Sequence, residues 1–281
     1  MRILITGASG MLGQDVGRAA VAGGHEPVTL PRAELDICDA EAVSAAISAA
    51  APDAVINCAA WTNVDGAEES EQAALAVNGP GAGQVARAAA AAGAWTVHVS
   101  SDYVFDGDKR EPYLESDAVG PLSAYGRTKL AGEQAVADAA PDRHTVVRSA
   151  WLFGVDGNCF PKTIRRLAGE RDQLSIVADQ VGCPTFTGHL APALIQLAAE
   201  RRLGVLHVAA QDQCSWFQFA QAIVAGSGLE CDVRPITTAE YPVPATRPAY
   251  SVLRSERGAP RLPGWRDGLA EFQAVTAGAT V

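Results

Sequence analysis

Gly7-Ala8-Ser9-Gly10-Met11-Leu12-Gly13 is the stretch from which the fold is read. It spells Gly-x-x-Gly-x-x-Gly directly after the apolar run Ile3-Leu4-Ile5 and opens a helical pattern ending at Gly23-Gly24. Glycines in that place permit a tight turn and let backbone N–H groups approach a pyrophosphate. The helix N-terminus adds partial positive charge. A glycine triplet alone is weak evidence for a dinucleotide. Between a buried strand and a helix it becomes strong, because a plain strand-to-helix turn does not need three glycines at this spacing.

Outward from that turn the chain alternates. Residues 26–30, 54–57, 95–100 and 144–148 read as further strands. Residues 39–50 (with Asp39 as cap), 67–77, 79–92 and a segment starting near Ser123 read as helices. Such alternation implies parallel pairing through helical crossovers, hence an α/β fold with a doubly wound parallel sheet of the Rossmann type. The nearly continuous apolar strands fit burial on both faces. After about Trp151 the texture changes: residues 170–190 and 226–266 are rich in Pro, Gly and single charges. Residues 205–209 look like a core strand returning to the first sheet. The expected division is a dinucleotide-binding domain over 1–153 with a returning segment at about 180–210. A smaller C-terminal α/β substrate domain takes about 154–179 and 211–281.

Bulk composition narrows the function. The 281 residues are 48% apolar and 19% charged, as in a globular chain, with a net charge of −10. Such a surface repels a phosphate backbone and argues against nucleic-acid binding. The six cysteines form no Cys-x-x-Cys clip and the five histidines no His-x-x-x-His pair, so no metal is expected and free thiols are. Met1-Arg2 runs straight into the first strand, which leaves no room for a signal peptide. No stretch approaches the roughly 20 apolar residues of a membrane span. A cytoplasmic protein without membrane contact is the expectation.

The end of the second strand bears on the cofactor. An NAD-specific site usually carries Asp or Glu there for the ribose hydroxyls. Thr29-Leu30-Pro31-Arg32 has no acid until Glu34, and Arg32 suits a 2′-phosphate. NADPH is therefore expected, with NADH tolerated; the plainer alternative is a solvated surface Arg.

Tyr125-Gly126-Arg127-Thr128-Lys129 is Tyr-x-x-x-Lys near a helix start. Residues four apart lie one above the other on a helix face, about 6 Å along the axis. A phenol of ordinary pKa near 10 exchanges protons poorly at neutral pH, and an ammonium beside it is expected to draw that value down. The pair alone is as well explained by a helix surface. Context weighs more: the strand 95–100 runs into Ser100-Ser101-Asp102-Tyr103, which places a hydroxyl at the carboxyl end of a strand, where ligands of such sheets bind. Cys58, Ala59 and Ala60 end the preceding strand with side chains small enough for a nicotinamide ribose to approach. Asn78 either completes a polar relay or is an exposed helix residue.

The ordered series of these motifs resembles the extended short-chain dehydrogenase/reductases, and among them the reductases of nucleotide-linked keto-deoxysugars. The likeness runs nearly the whole chain. It covers the glycine loop, Leu35-Asp36-Ile37, Pro52–Ala60, Thr62-Asn63-Val64-Asp65, Ser101–Gly107, Pro112-Tyr113-x-Glu115 and Tyr125–Glu133. It continues through Arg148-Ser149-x-Trp151, Asp179–Thr185 and Arg247–Ser251. The resemblance implies Ser101, Tyr125 and Lys129 as the active triad, with Ser101 where relatives often carry Thr. It implies a cofactor held by Gly7, Ser9, Gly10, Met11, Leu12 and Gly13, by Arg32, Asp36 and Ile37, by Cys58, Ala59, Ala60, Thr62 and Asn78, and by Ser100 beside Tyr125 and Lys129. Substrate is implied to meet Val64, Ser101, Asp102, Tyr103, Trp151, Asn158 and Arg247. By type alone Trp151 is more often a core residue. Arg247 also has a physical case, since a guanidinium matches a diphosphate bidentately. The implied reaction is reduction at C4 of a dTDP-linked 4-keto-6-deoxysugar, in a protein that forms a homodimer.

Two other readings stay open at this point. A sugar-nucleotide dehydratase or epimerase shares fold and triad, although dehydratases follow the strand-end hydroxyl with an acid pair and here Asp102 is followed by Tyr103. A regulatory subunit that binds the dinucleotide without turnover is the other.

Overall fold

Ile3, Leu4 and Ile5 are fully buried in the first strand, β1 (Arg2–Thr6), as a strand covered on both faces must be. The computed structural model describes residues 1–278. The turn at Gly7 leads into α1 (Met11–Ala22), then β2 (Glu26–Leu30), α2 (Ala40–Ala50) and β3 (Ala54–Asn57). Next come α3 (Val64–Glu69), α4 (Glu71–Ala76), α5 (Ala82–Ala91), β4 (Trp95–Ser101), α6 (Ala124–Ala139) and β5 (His144–Ser149). Further on lie β6 (Leu152–Phe153), α7 (Phe160–Glu170), β7 (Gln173–Val177), β8 (Val181–Gly182), β9 (Thr185–Phe186), α8 (Thr187–Glu200) and β10 (Gly204–His207). The described chain ends with β11 (Cys214–Ser215), α9 (Trp216–Ala225), β12 (Asp232–Ile236) and α10 (Trp265–Gly278).

Six strands pair in parallel in the order β10-β5-β4-β3-β1-β2. Leu12, Val16, Leu190 and Leu194 cover one face and Val43, Ile47 and Val85 the other, so the sheet is doubly wound. From β1 the chain steps outward to β2, then crosses back to β3 on the other side. β1 and β3 stay paired to their last residues, Thr6 and Asn57, and the reversal of chain direction between the following connections leaves a crevice beyond their carboxyl ends. The two turns nevertheless meet at its floor. Gly7 has φ +63°, and a Cβ there would lie 2.7 Å from Ala59 N.

A second apolar cluster joins Phe153, Phe186, Phe219, Trp265 and Phe272 beneath α7, α9 and α10, beside the parallel pair β7–β12. β10 pairs with β5 from Gly204 to His207, and beyond it Ala210 packs into the second cluster. All six cysteines are free thiols. No helix among the described residues is long and apolar enough to cross a membrane.

Two local expectations need correction. Burial on both faces holds for β3, β4 and β5 but not for β2, which lies at the sheet edge with a partner on one side only. The helices expected over 67–77 and 79–92 are broken elsewhere. The break falls at Ser70, while Val77–Gly81 forms a wide π turn that carries the chain through Pro80 into α5 without stopping. Proline has no N–H to give to a regular helical ladder, and a π turn absorbs the gap.

Gly13 shows how little room the glycine turn leaves. A Cβ on it would lie 2.4 Å from Gly7 O and 2.8 Å from Ala8 Cα, both backbone atoms that cannot swing away. Gly13→Ala is expected to cost roughly 1–3 kcal/mol in urea denaturation and to weaken dinucleotide binding in a fluorescence titration. Wild-type values in both measurements would refute the close packing.

Candidate active site

The crevice at the strand ends is a cleft of about 710 Å³. At one end lies the glycine turn. Gly10 caps α1 without a side-chain hydrogen bond, so the first amide N–H groups of that helix face outward unshared. Such a terminus attracts an anion. The exposed Arg32 flanks it after β2, with no carboxylate at ion-pair distance among the described residues. Asp36 turns its Oδ1 to Cys38 N at 2.9 Å, and the buried Ile37 closes the wall. Opposite, Cys58, Ala59 and Ala60 present little side chain to the cleft.

Two elements, β4 and α6, bring the triad together. Ser101 is the last residue of β4. Ser123 caps α6 by accepting from Gly126 N at 3.1 Å, which sets Tyr125 in the first turn and Lys129 one turn on. The Ser101 hydroxyl donates to Asp102 Oδ1 at 3.0 Å and accepts from Tyr103 N at 3.2 Å. Tyr125 lines the same cleft as Ser101, and its ring meets Tyr103 edge to face at 5.5 Å. Burial pushes the Tyr125 phenol up to about 12, and the Asp102 carboxylate adds to the rise while the Ser101 hydrogen bond opposes it.

That value corrects the expectation that Lys129 draws the phenol down. The Lys129 ammonium is buried and donates to Val99 O at 2.7 Å. Burial depresses it to about 8, with Glu133 and Cys58 pulling the other way. Helical spacing placed the two residues on one face, but desolvation of the phenol outweighs a cation turned toward a backbone carbonyl. A phenol that keeps its proton across the neutral range is suited to donate one.

Beneath the triad a polar string crosses the strand ends. Thr6 Oγ1 donates to Asn57 Oδ1 at 2.6 Å, which also accepts from Ala59 N at 3.2 Å, and Asn57 Nδ2 meets His98 Nδ1 at 3.1 Å. Burial holds His98 well below its ordinary pKa, and the Lys129 charge adds to the effect. The string therefore stays neutral under the cleft floor.

Asn78 does not reach the cleft. It is buried in the π turn, accepts from Trp61 N at 2.9 Å, and donates to Trp61 O at 3.1 Å and Thr128 Oγ1 at 3.0 Å. Thr128 in turn donates to Tyr125 O at 2.8 Å. Asn78 thus ties the loop after β3 to the helix that carries the triad. It positions the cofactor wall rather than forming it. The remaining residues expected at the cofactor and substrate, from Ser9 and Thr62 to Val64 and Asn158, all border the cleft.

Trp151, also on the cleft wall, takes φ +48°, a conformation that L-residues avoid, and stacks on Trp216 with centroids 3.6 Å apart. Phe160 leans on the same indole at 4.6 Å. Sequence reasoning missed Trp216 and Phe160. Their signal was the aromatic run Trp216-Phe217-x-Phe219 behind the capping box Ser215-x-x-Gln218, which reads equally as core. Arg247 borders the cleft, but its fork is taken by Asp65: Nη1 donates to Oδ1 at 3.0 Å and Nη2 to Oδ2 at 2.7 Å. Those bonds hold the Asp65 carboxyl below its ordinary range. The guanidinium expected at a diphosphate therefore clamps α3 to the 245–251 segment across the cleft mouth.

A larger concavity of about 880 Å³, bordered by Gln211, Gln213, Arg254 and Arg261, holds none of the triad. The chemistry is assigned to the cleft at the strand ends.

A family model described as RmlD substrate binding domain matches residues 1–277. The dTDP-4-dehydrorhamnose reductase of Mycolicibacterium smegmatis is 45% identical, over 99% of this chain and 87% of its own length. Among solved structures, a dTDP-4-dehydrorhamnose reductase from Clostridium acetobutylicum superposes with a TM-score of 0.95 at 41% identity, covering 99% of this chain and 100% of its own. One from Bacillus anthracis, in complex with NADP, gives 0.94 at 36%, covering 98% and 99%.

Proposed function

We infer that this chain, which belongs to the family matched by the RmlD substrate binding domain model, is an NADPH-dependent reductase of the C4 keto group of a dTDP-linked 4-keto-6-deoxyhexose. One observation carries the reading: Ser101, Tyr125 and Lys129 line one cleft together with the glycine turn and the Trp151–Trp216 stack.

The residues fit the cofactor. The unshared amides at the start of α1 suit its pyrophosphate, Arg32 its 2′-phosphate, and the small side chains at 58–60 its nicotinamide ribose. When bound there, the cofactor supplies a hydride to the substrate carbonyl carbon. The chain's own part is the proton and the field around it. Tyr125 gives its phenolic proton to the forming alkoxide. Ser101 donates a hydrogen bond to the same oxygen and so stabilises the charge that develops. Lys129, one turn on from Tyr125, is held at the cleft floor by its bond to Val99 O. The Trp151–Trp216 face offers a stacking wall for the ring system of the nucleotide.

The test is NADPH oxidation against a panel of dTDP- and UDP-linked 4-keto-6-deoxysugars, with NMR of the product. No oxidation with any of them defeats the reading. For the cofactor, kcat/KM for NADPH over NADH is expected to fall about tenfold or more in Arg32→Ala, the loss of one charge-assisted contact. An unchanged ratio removes Arg32 from the site. The reading also takes the protein as a cytoplasmic homodimer, to be checked by light scattering of the purified chain.

A further inference from the structure

Ser101 carries one hydroxyl proton, and Asp102 Oδ1 accepts it at 3.0 Å. With Asp102 ionised, that proton points at the carboxylate and away from the cleft that Ser101 and Tyr125 both line. With Asp102 protonated the order reverses: the carboxyl donates to Ser101, and the Ser101 proton is free to point into the cleft alongside that of Tyr125.

The carboxyl is built for that change. It is 1% exposed, and its neighbours are neutral hydroxyls: Ser101, and Ser251, whose Oγ donates to Oδ2 at 2.5 Å. No Lys, Arg or His lies at ion-pair distance from it among the described residues. A buried carboxylate without a cationic partner is costly, and proton uptake removes the cost. Burial pushes this group up to about 6 against its hydrogen bonds.

We propose that Asp102 is a positioning residue whose proton sets the direction of the Ser101 hydroxyl, and that it must be protonated for Ser101 to address the substrate oxygen alongside Tyr125. The proton taken up by Asp102 stays there through the turnover. The one consumed at the alkoxide comes from Tyr125, which is restored from solvent. The inference rests on the reading of the chain as a carbonyl reductase.

The groups that face Asp102 leave its titration readable. Tyr103 on its own turn, Tyr125 from α6 and Cys183 from the β8–β9 connection are all pushed upward by burial, Tyr125 and Cys183 to about 12. Arg247 acts on Tyr103. Lys129, at about 8, is coupled to Glu133 and Cys58 and bounds the window from above.

The experiment is the pH profile of kcat/KM for the keto-sugar in the full-length enzyme, with dinucleotide Kd as the folding control. In the wild type the profile is expected to fall about tenfold per pH unit above the Asp102 transition, between about pH 6 and 7.5. Asp102→Asn presents an amide N–H to Ser101 and a carbonyl to Ser251, the pattern of the protonated acid. It is expected to be flat over that window and to exceed the wild type about 30-fold at its upper end. Ser251→Ala removes a donor to the ionised form, so its descending limb is expected to move to higher pH by about one unit with the low-pH plateau kept. An Asp102→Asn enzyme that keeps the limb, or is slower by one factor at every pH, overturns the proposal. An unmoved limb in Ser251→Ala does the same. Failure of the wild type to oxidise NADPH with any keto-sugar would instead defeat the reductase reading.

Discussion

Replacing Tyr125 with Phe is expected to lower kcat for the keto-sugar by roughly 10²–10⁴-fold, about 3–5 kcal/mol of barrier. Fold and dinucleotide affinity should be unchanged. The ring is held by apolar neighbours, Trp61, Ala67, Ala74 and Ala124, and by the edge of Tyr103, all of which Phe retains. The residue lines the cleft, so removal of its hydroxyl takes away a proton donor and little packing. Because the phenol lies at about 12, Tyr125 stays protonated through the assay range and contributes no limb to the pH profile. The checks are steady-state kinetics beside a thermal melt and a dinucleotide titration. Turnover like that of the wild type would remove Tyr125 from the chemistry.

The other large effect concerns stability. Glu133 and Arg148 form an ion pair with side chains 6% and 5% exposed, Nη2 to Oε2 at 2.7 Å and Nε to Oε1 at 2.9 Å. Glu133 Oε1 also accepts from Ser100 at 2.5 Å, and Arg148 stands over the Phe105 ring at 5.0 Å. The pair thus joins α6, β5 and the end of β4, the elements that carry the triad. Glu133→Ala leaves a guanidinium buried without its carboxylate, which typically costs roughly 3–5 kcal/mol. At about 2–4 °C per kcal/mol, Tm should fall roughly 6–20 °C. Glu133→Gln keeps an acceptor for Ser100 and should lose less. A Glu133→Ala melting point within about 2 °C of wild type would show the pair to be dispensable.

Both predictions turn on contacts between residues distant in sequence. The motifs at either end of those contacts were readable locally. The glycine turn had to follow a strand and open a helix, and it does, with Gly13 packed on Gly7 O. The helix start at Ser123 followed from its capping hydroxyl, and with it the single-turn spacing of Tyr125 and Lys129. Nearly all the residues expected at the cleft border it. Asn78 is the exception. Its side chain is consumed by Trp61 and Thr128, partners 17 and 50 residues away that no local pattern announces.

What the amino-acid order determined unaided was whatever depends on neighbours along the chain: strand and helix alternation, the cofactor turn, and the triad's spacing on its elements. The tertiary structure alone decided how each polar side chain is used. It turned the Lys129 ammonium to Val99 O, gave the Arg247 fork to Asp65, and enclosed Asp102 among hydroxyls without a cation. The physical reason is that periodicity and turn chemistry act over a few residues. Desolvation and hydrogen-bond direction are set by whatever the fold packs against a group from elsewhere in the chain.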